Sequence, residues 1–170
     1  MWKLTAAFTA GAIVVPILVV LTALLGLWPA DANSEPPQWE TAIASRALQA
    51  SIEFQAPEAK SPVPADTASI LAGIKMYGDA CANCHGLAKL RSVYGLSGYP
   101  RVPQFGRQPP DLKDYQVYWV VKNGLRYSGM VGLHGMKTSN EDMWRAAEFV
   151  SHLRNLPPEV QTAWKKLKMQ

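Results

Sequence analysis

Residues 73–86 read GIKMYGDACANCHG and contain both cysteines of the chain, Cys81 and Cys84. His85 follows the second cysteine directly, so the run is C-x-x-C-H. Two thiols on one turn of backbone can each form a thioether with one vinyl group of a porphyrin edge, and the histidine after them can bind the iron. The pattern therefore predicts one covalently attached haem c, with His85 as an iron ligand.

Other roles for this cysteine pair fit the sequence less well. A disulfide between Cys81 and Cys84 would close a very short loop and stabilise little. A zinc site would need two further ligands at suitable spacing. A thioredoxin-like C-x-x-C would need a βαβ context, which the surrounding sequence lacks.

An apolar run precedes this motif near the N-terminus. Residues 4–27 (LTAAFTAGAIVVPILVVLTALLGL) carry no charge and are long enough to cross a bilayer as a helix. Lys3 before the run predicts a single span in the inner (cytoplasmic) membrane, with the rest of the chain on the periplasmic side. The alternative is a cleaved signal peptide, because residues 30–32 form an A-x-A site. The run exceeds the usual h-region, so we predict an uncleaved anchor over residues 1–32.

Residues 33–64 are predicted to form a juxtamembrane helix followed by a Pro-rich linker. The helix has one apolar stripe at helical spacing, which consists of Trp39, Ile43, Ala47, Ala50 and Phe54. This stripe can lie on the membrane surface, pack on the domain that follows, or contact a partner. Residues 56–64 (APEAKSPVP) are typical of an extended linker, which would set the reach of that domain.

A compact domain that carries the haem motif is predicted over residues 65–157. Asp66 is a good N-cap for its first helix. Residues 86–110 are rich in Gly, Pro and Tyr and predict a long loop. By pattern, residues 115–123 (YQVYWVVKN) could form a helix or a strand; the haem motif favours a helix, with Gly124 as its stop.

The last predicted helix of the domain begins after a cap at Ser139 or Asn140. Its apolar side includes Trp144, Phe149 and Leu153, and Pro157 with Pro158 is predicted to end it. Residues 158–170 are then predicted to be a basic C-terminal tail.

Charge is distributed unevenly around the motif. Between Gly86 and Lys137 only Asp111 and Asp114 are acidic, against eight basic residues: Lys89, Arg91, Arg101, Arg107, Lys113, Lys122, Arg126 and Lys137. Such an excess can steer an acidic protein toward one face. It does not favour nucleic acid, because no basic helix, finger spacing or basic-aromatic motif accompanies it.

Several motifs besides C-x-x-C-H occur in a recognisable order. They are Gly73-x3-Tyr77-x3-Cys81, Pro110-Asp111-Leu112, residues 119–125 (WVVKNGL), Ser128-Gly129-Met130, and Trp144-x4-Phe149-x3-Leu153. Over residues 62–157 the chain resembles the class I cytochromes c, in particular the small membrane-anchored group similar to the haem domains of cbb3-oxidase subunit III. The resemblance implies an all-α fold of about four helices, of which the first and the last cross near Gly73, where Phe149 approaches closely.

The resemblance also implies roles for single residues. Pro110 matches the proline whose carbonyl accepts a hydrogen bond from the ligand histidine and thereby orients it. Leu112 would line the haem face, and Met130 would be the sixth iron ligand opposite His85.

The segment around Met130 departs from the family pattern. Val131 stands where the family usually has a proline, and the following loop is about one residue longer. Met136 therefore stays an alternative sixth ligand. His134, between the two methionines, would give a bis-histidine haem of lower potential if it bound iron.

Together these features predict one-electron transfer between redox proteins of a respiratory chain, with no small-molecule substrate and no enzymatic activity of its own. A thioether opposite a histidine raises the reduction potential, and iron that is ligated on both sides has no open position for substrate. A haem enzyme or gas-binding module is the alternative if neither Met130 nor Met136 binds iron. A fixed electron-transfer subunit of a larger dehydrogenase or oxidase is a third hypothesis.

Overall fold

The computed structural model describes residues 2–169 and has eight helices and no β-strand over that range. They are α1 (Trp2–Leu24), α2 (Gln38–Gln55), α3 (Thr67–Ala80), α4 (Ala82–His85), α5 (Val93–Ser97), α6 (Asp114–Asn123), α7 (Asn140–Ser151) and α8 (Pro158–Lys166). The predicted all-α fold is confirmed. Met1 and Gln170, the outermost residues of the predicted anchor and tail, lie outside the described residues.

The chain divides into two compact units after Ser34. The first contains α1, whose most apolar window has a mean hydropathy of 2.4 and whose large side chains are exposed. Its length and composition suit a membrane span. A signal sequence near an N-terminus meets the same criterion, so the uncleaved anchor stays a prediction.

The helix boundaries in the second unit follow from local chemistry. The Asp66 carboxylate accepts a hydrogen bond from the Ser69 N–H at 2.7 Å and caps α3. Ser139 caps α7 in the same way, through the Asp142 N–H at 3.0 Å. Gly124 ends α6 with a φ of 71°, a conformation that glycine adopts without a Cβ clash. These three boundaries agree with the sequence prediction.

The core forms where α3 crosses α7. A Cβ atom on Gly73 would lie 2.1 Å from the Arg145 carbonyl oxygen and 2.9 Å from Cβ of Phe149, so only glycine fits at this crossing. Tyr77 and Phe149 are fully buried beside it, with ring centroids 5.4 Å apart in an edge-to-face arrangement. The predicted crossing at Gly73 and Phe149 is confirmed.

The predicted C-terminal tail is wrong, because residues 158–166 form helix α8. Val160 is fully buried and Trp164 is 6% exposed, and the Trp164 ring lies 5.1 Å from that of Tyr77. Pro158 occupies the first turn of this helix, where its missing N–H costs nothing. Helix α7 already ends at Ser151, so the predicted end at Pro157 and Pro158 is also wrong, and this proline pair begins α8 instead.

Helix α2 and the Pro-rich segment after it belong to the same compact unit as the haem domain. α2 packs against α6, and Ile52 and Ala56 are buried together with Val120. Val63, near the end of the Pro-rich segment, is also buried. Because both ends of this segment pack on the domain, the prediction that it sets the reach of the domain is wrong.

Candidate functional site

The C-x-x-C-H motif forms a single helical turn at the end of α3. The Cys81 N–H donates to the Tyr77 carbonyl at 2.8 Å, and the His85 N–H donates to the Cys81 carbonyl at 2.8 Å. Cys84 is exposed and Cys81 partly buried, and both are free thiols. Two thiols and an imidazole therefore project from one turn.

The His85 imidazole is nearly buried, at 8% exposure, and held in one orientation. Its Nδ1 lies 3.0 Å from the Pro103 carbonyl oxygen, and since a carbonyl only accepts, Nδ1 carries the proton. The ring stacks on Phe105 with centroids 4.1 Å apart. Burial lowers the pKa of His85, although the Pro103 hydrogen bond opposes this shift. The result is a neutral imidazole whose Nε2 lone pair is available to a metal.

The hydrogen-bond partner of His85 corrects the prediction for Pro110. The Phe105 N–H donates to the His85 carbonyl at 3.0 Å, so the chain runs alongside His85 at residues 103–105. Pro110 comes later, in the segment that leads into α6, and is partly buried. The acceptor role assigned to Pro110 is wrong, because the carbonyl that reaches His85 is that of Pro103.

A buried amide stabilises the motif from a distant part of the chain, and sequence reasoning missed it. The Gln104 side chain donates through Nε2 to the Cys84 carbonyl at 3.0 Å and to the Val102 carbonyl at 2.9 Å. Its Oε1 accepts from the Ser92 N–H at 2.7 Å. The Ser92 hydroxyl, fully buried, donates in turn to the Asn83 carbonyl. Loop 86–110 is therefore hydrogen-bonded to the cysteine turn through these two side chains.

Close backbone contacts leave little space around this turn. A Cβ atom on Gly95 would lie 2.0 Å from the Cys84 carbonyl oxygen. The Tyr77 hydroxyl donates to the Gly86 carbonyl at 2.7 Å, and burial raises the pKa of this phenol. Burial, with a smaller contribution from Cys84, raises the pKa of Cys81 to about 12. The side of the turn that faces Tyr77 is thus a buried, neutral environment, while Cys84 is exposed on the other side.

The predicted sixth ligand lies in the segment between α6 and α7. Met130 is partly buried, and together with Leu112 it packs against both hydrophobic clusters of the second unit. The backbone holds it there, since the Leu125 N–H donates to the Met130 carbonyl at 3.0 Å. Met136 is 52% exposed and His134 is also exposed. Of the three alternatives, only Met130 has its side chain in an apolar environment.

The donor set fits haem c. Two unlinked thiols stand on one turn, the Nδ1 hydrogen bond of His85 leaves Nε2 free for iron, and an apolar thioether lies on a separate segment. Histidine with methionine is one of the axial ligand pairs that cytochromes c use.

Most of the eight basic residues between Gly86 and Lys137 form no ion pair in the part of the chain that the structure describes. Arg101 pairs with Glu35 at 3.0 Å, and Lys113 lies 3.9 Å from Glu58. Asp111, one of the two acidic residues in this stretch, lies 3.6 Å from Arg154. Within the described part of the chain the other six form no ion pair: Lys89, Arg91, Arg107, Lys122, Arg126 and Lys137.

The helical fold and the C-x-x-C-H turn define a c-type cytochrome domain. More particularly, residues 68–150 match the family model described as cytochrome c oxidase, cbb3-type, subunit III. The chain thus contains a cytochrome c haem domain similar to that of cbb3-oxidase subunit III, a class of haem c electron-transfer proteins. No curated protein and no solved structure matches the chain significantly.

Proposed function

We propose that this chain is a membrane-anchored cytochrome c with a single covalent haem, which transfers one electron at a time between redox proteins. The observation that carries the proposal is the hydrogen bond between His85 and the Pro103 carbonyl. It fixes the imidazole tautomer and presents Nε2 from the same turn that carries both thiols.

Each residue of the site has a separate role in this proposal. Cys81 and Cys84 would hold haem c through thioether bonds, and His85 would bind its iron. When bound, haem c supplies one iron that alternates between the ferric and ferrous states. Met130 would supply a second ligand to the iron, a role that is supported by its apolar environment beside Leu112. Leu112 and the surrounding cluster exclude water, which favours the less charged ferrous state.

The membrane anchor is α1, in our proposal an uncleaved single span of the inner membrane with the haem domain on the periplasmic side. Support comes from its length, its lack of charge beyond Lys3 and the positive-inside rule. An anchor keeps the domain at a membrane surface and raises its effective concentration near membrane-bound partners.

The partners we propose are redox proteins that dock through an acidic face. The six basic side chains without ion pairs support this, because charges that are not neutralised within the domain are available to an incoming protein. Such docking weakens as ionic strength rises.

The test is to purify the full chain in detergent, extract non-covalent haem with acidified acetone, and measure the haem that stays on the chain. We expect one haem per chain and a reversible one-electron redox titration. The Cys81→Ala/Cys84→Ala variant should lose the bound haem, while Asn83→Ala, a control on the same turn that retains both thiols, should keep it. Haem that extracts from the wild type would contradict the proposal.

A second candidate function is that of a permanent subunit of an oxidase complex, which the family description favours. The chain would still transfer electrons, but it would stay bound to its partner and not dissociate after each transfer. Mild detergent extraction of native membranes should then release the chain together with large membrane subunits in constant ratio. Recovery of the chain alone under those conditions would argue for an independent carrier.

A further inference from the structure

Helix α2 has two apolar faces, on opposite sides. At 3.6 residues per turn, the predicted stripe falls within one narrow arc of the helix. Leu48 and Ile52 fall on the opposite side, about half a turn of rotation away. We call the stripe of Trp39, Ile43, Ala47, Ala50 and Phe54 the outer face, and the side of Leu48 and Ile52 the inner face.

The inner face is docked on the haem domain at the C-terminal end of α2, where Ile52 is only 5% exposed and lies in one cluster with Ala56 and Val120. Leu48, one turn earlier, is 42% exposed. The other end of the helix is held by polar contacts from the loop before α6. The Tyr99 hydroxyl donates to the Glu40 carboxylate at 2.6 Å, and Arg101 pairs with Glu35 at 3.0 Å. Because α2 is held at both ends, the direction of its outer face is fixed relative to the domain.

The outer face is open to solvent. Trp39 is 66% exposed, Ile43 is 64% and Phe54 is 91%, and the two alanines between them are also exposed. Three large apolar side chains in line on a docked helix form a contiguous apolar surface, which in soluble proteins marks a contact site. We therefore expect another apolar surface to cover the outer face when the protein is in its native environment.

The sequence before α2 indicates what covers it. Thirteen residues, 25–37, separate the end of α1 from the start of α2. Fully extended they would span at most about 45 Å. They are shortened by a turn in which the Ser34 N–H donates to the Asp31 carbonyl at 3.3 Å. The apolar span α1 thus brings the lipid surface within reach of α2, which is itself about 27 Å long.

The charges of α2 define the kind of surface it can meet. Its charged residues are Glu40, Arg46 and Glu53, so the helix carries more acidic than basic residues. Anionic lipid would not attract it. Contact with lipid would come from Trp39, Ile43 and Phe54 alone, and tryptophan in particular favours the bilayer interface.

We propose that the outer face of α2 lies in the lipid interface, so that one fixed side of the haem domain faces the membrane. The inference rests on the proposed membrane attachment through α1. It makes α2 a rigid spacer between the bilayer and the cluster that contains Met130 and Leu112, since the inner face of the same helix packs in that cluster.

The test uses a photoreactive benzophenone amino acid placed at single positions of the full chain. Each variant is purified with haem attached, reconstituted in phosphatidylcholine vesicles and irradiated, and the adducts are identified by mass spectrometry. Positions 43 and 54 probe the outer face. Position 49, an exposed glutamine on the flank of α2, is the matched control, and position 13 within α1 reports membrane attachment.

We expect lipid adducts at positions 13, 43 and 54 and none above background at position 49. Adducts at position 13 without adducts at 43 and 54 would overturn the inference and leave the anchor intact. Cross-links from 43 or 54 to a second copy of the chain would also overturn it, since protein and not lipid would then cover the face. Absence of adducts at position 13 would overturn the anchor and this inference together.

Discussion

The segment that carries His85 and the segment that carries Met130 are held in place in different ways. Residues 81–105, the His85 side, are held together by two buried side chains from the loop of that segment. Gln104 and Ser92 donate hydrogen bonds to the carbonyls of Cys84 and Asn83 in the cysteine turn. Residues 124–138, the Met130 loop, are held mainly by backbone contacts, such as the isolated bridge between Gly124 and Val131. The fold thus fixes His85, the proposed histidine ligand, closely, while Met130 depends on a loop with exposed flanks.

This difference predicts that substitutions on the His85 side affect stability and haem attachment, whereas substitutions in the Met130 loop affect ligation and leave the fold intact. Gly95→Ala and Gln104→Ala test the His85 side, and Ile52→Val, with a smaller effect, tests the packing of α2 against the cluster that Met130 contacts. Met130→Ala, described last, tests the Met130 loop itself.

Gly95→Ala should have the largest effect. The new methyl group would lie 2.0 Å from the Cys84 carbonyl oxygen, so the cysteine turn or α5 must move. Overpacking against backbone should cost about 3 kcal/mol or more of unfolding free energy. Thermal unfolding of the detergent-solubilised protein and the haem content per chain measure the effect. Gly98→Ala is the control, because no atom lies within 4 Å of its added methyl group; equal losses in both variants would refute the close approach at Gly95.

Gln104→Ala should have an intermediate effect. It removes three hydrogen bonds and leaves the Ser92 N–H and the Cys84 carbonyl without their partner. The loss should be about 2–3 kcal/mol of unfolding free energy. Denaturant titration against Gln108→Ala, an exposed glutamine four residues later, separates the network from a general effect of the loop. Equal stability of the two variants would mean that the network contributes nothing.

Ile52→Val should have the smallest effect. It removes one methylene from the inner face of α2, in the cluster that includes Met130, and should cost about 1 kcal/mol. Ile43→Val, on the outer face and 64% exposed, should change stability by less than about 0.5 kcal/mol in detergent. A larger loss for Ile43→Val than for Ile52→Val would reverse the assignment of the two faces.

The sequence allowed prediction of features that depend on local spacing. The caps at Asp66 and Ser139, the helix stop at Gly124 and the single turn from Cys81 to His85 each depend on residues within a few positions. The crossing at Gly73 required the resemblance to a family, because it joins residues more than seventy positions apart.

Other features could not be predicted in the same way. The Gln104 network joins a loop to a helical turn through one amide, which has no local signature. The apolar spacing of Val160, Ala163, Trp164 and Leu167 would have indicated α8, but the preceding prolines were interpreted as an end and not as a start. The acceptor for His85 was predicted as Pro110 and is Pro103. Both prolines lie in the same loop, and only the folded chain determines which of their carbonyls reaches His85.

Our main proposal is that iron is held by His85 and Met130, so that the site carries electrons and leaves no position open to substrate. Its most direct test is the ferric absorption spectrum of the wild type, Met130→Ala and Met136→Ala, recorded on the full chain in detergent. We expect a methionine-to-iron charge-transfer band near the red edge in the wild type and in Met136→Ala, and its loss with conversion to high spin in Met130→Ala. Loss of the band only in Met136→Ala, or a wild type that is already high-spin and binds carbon monoxide readily when reduced, would contradict it.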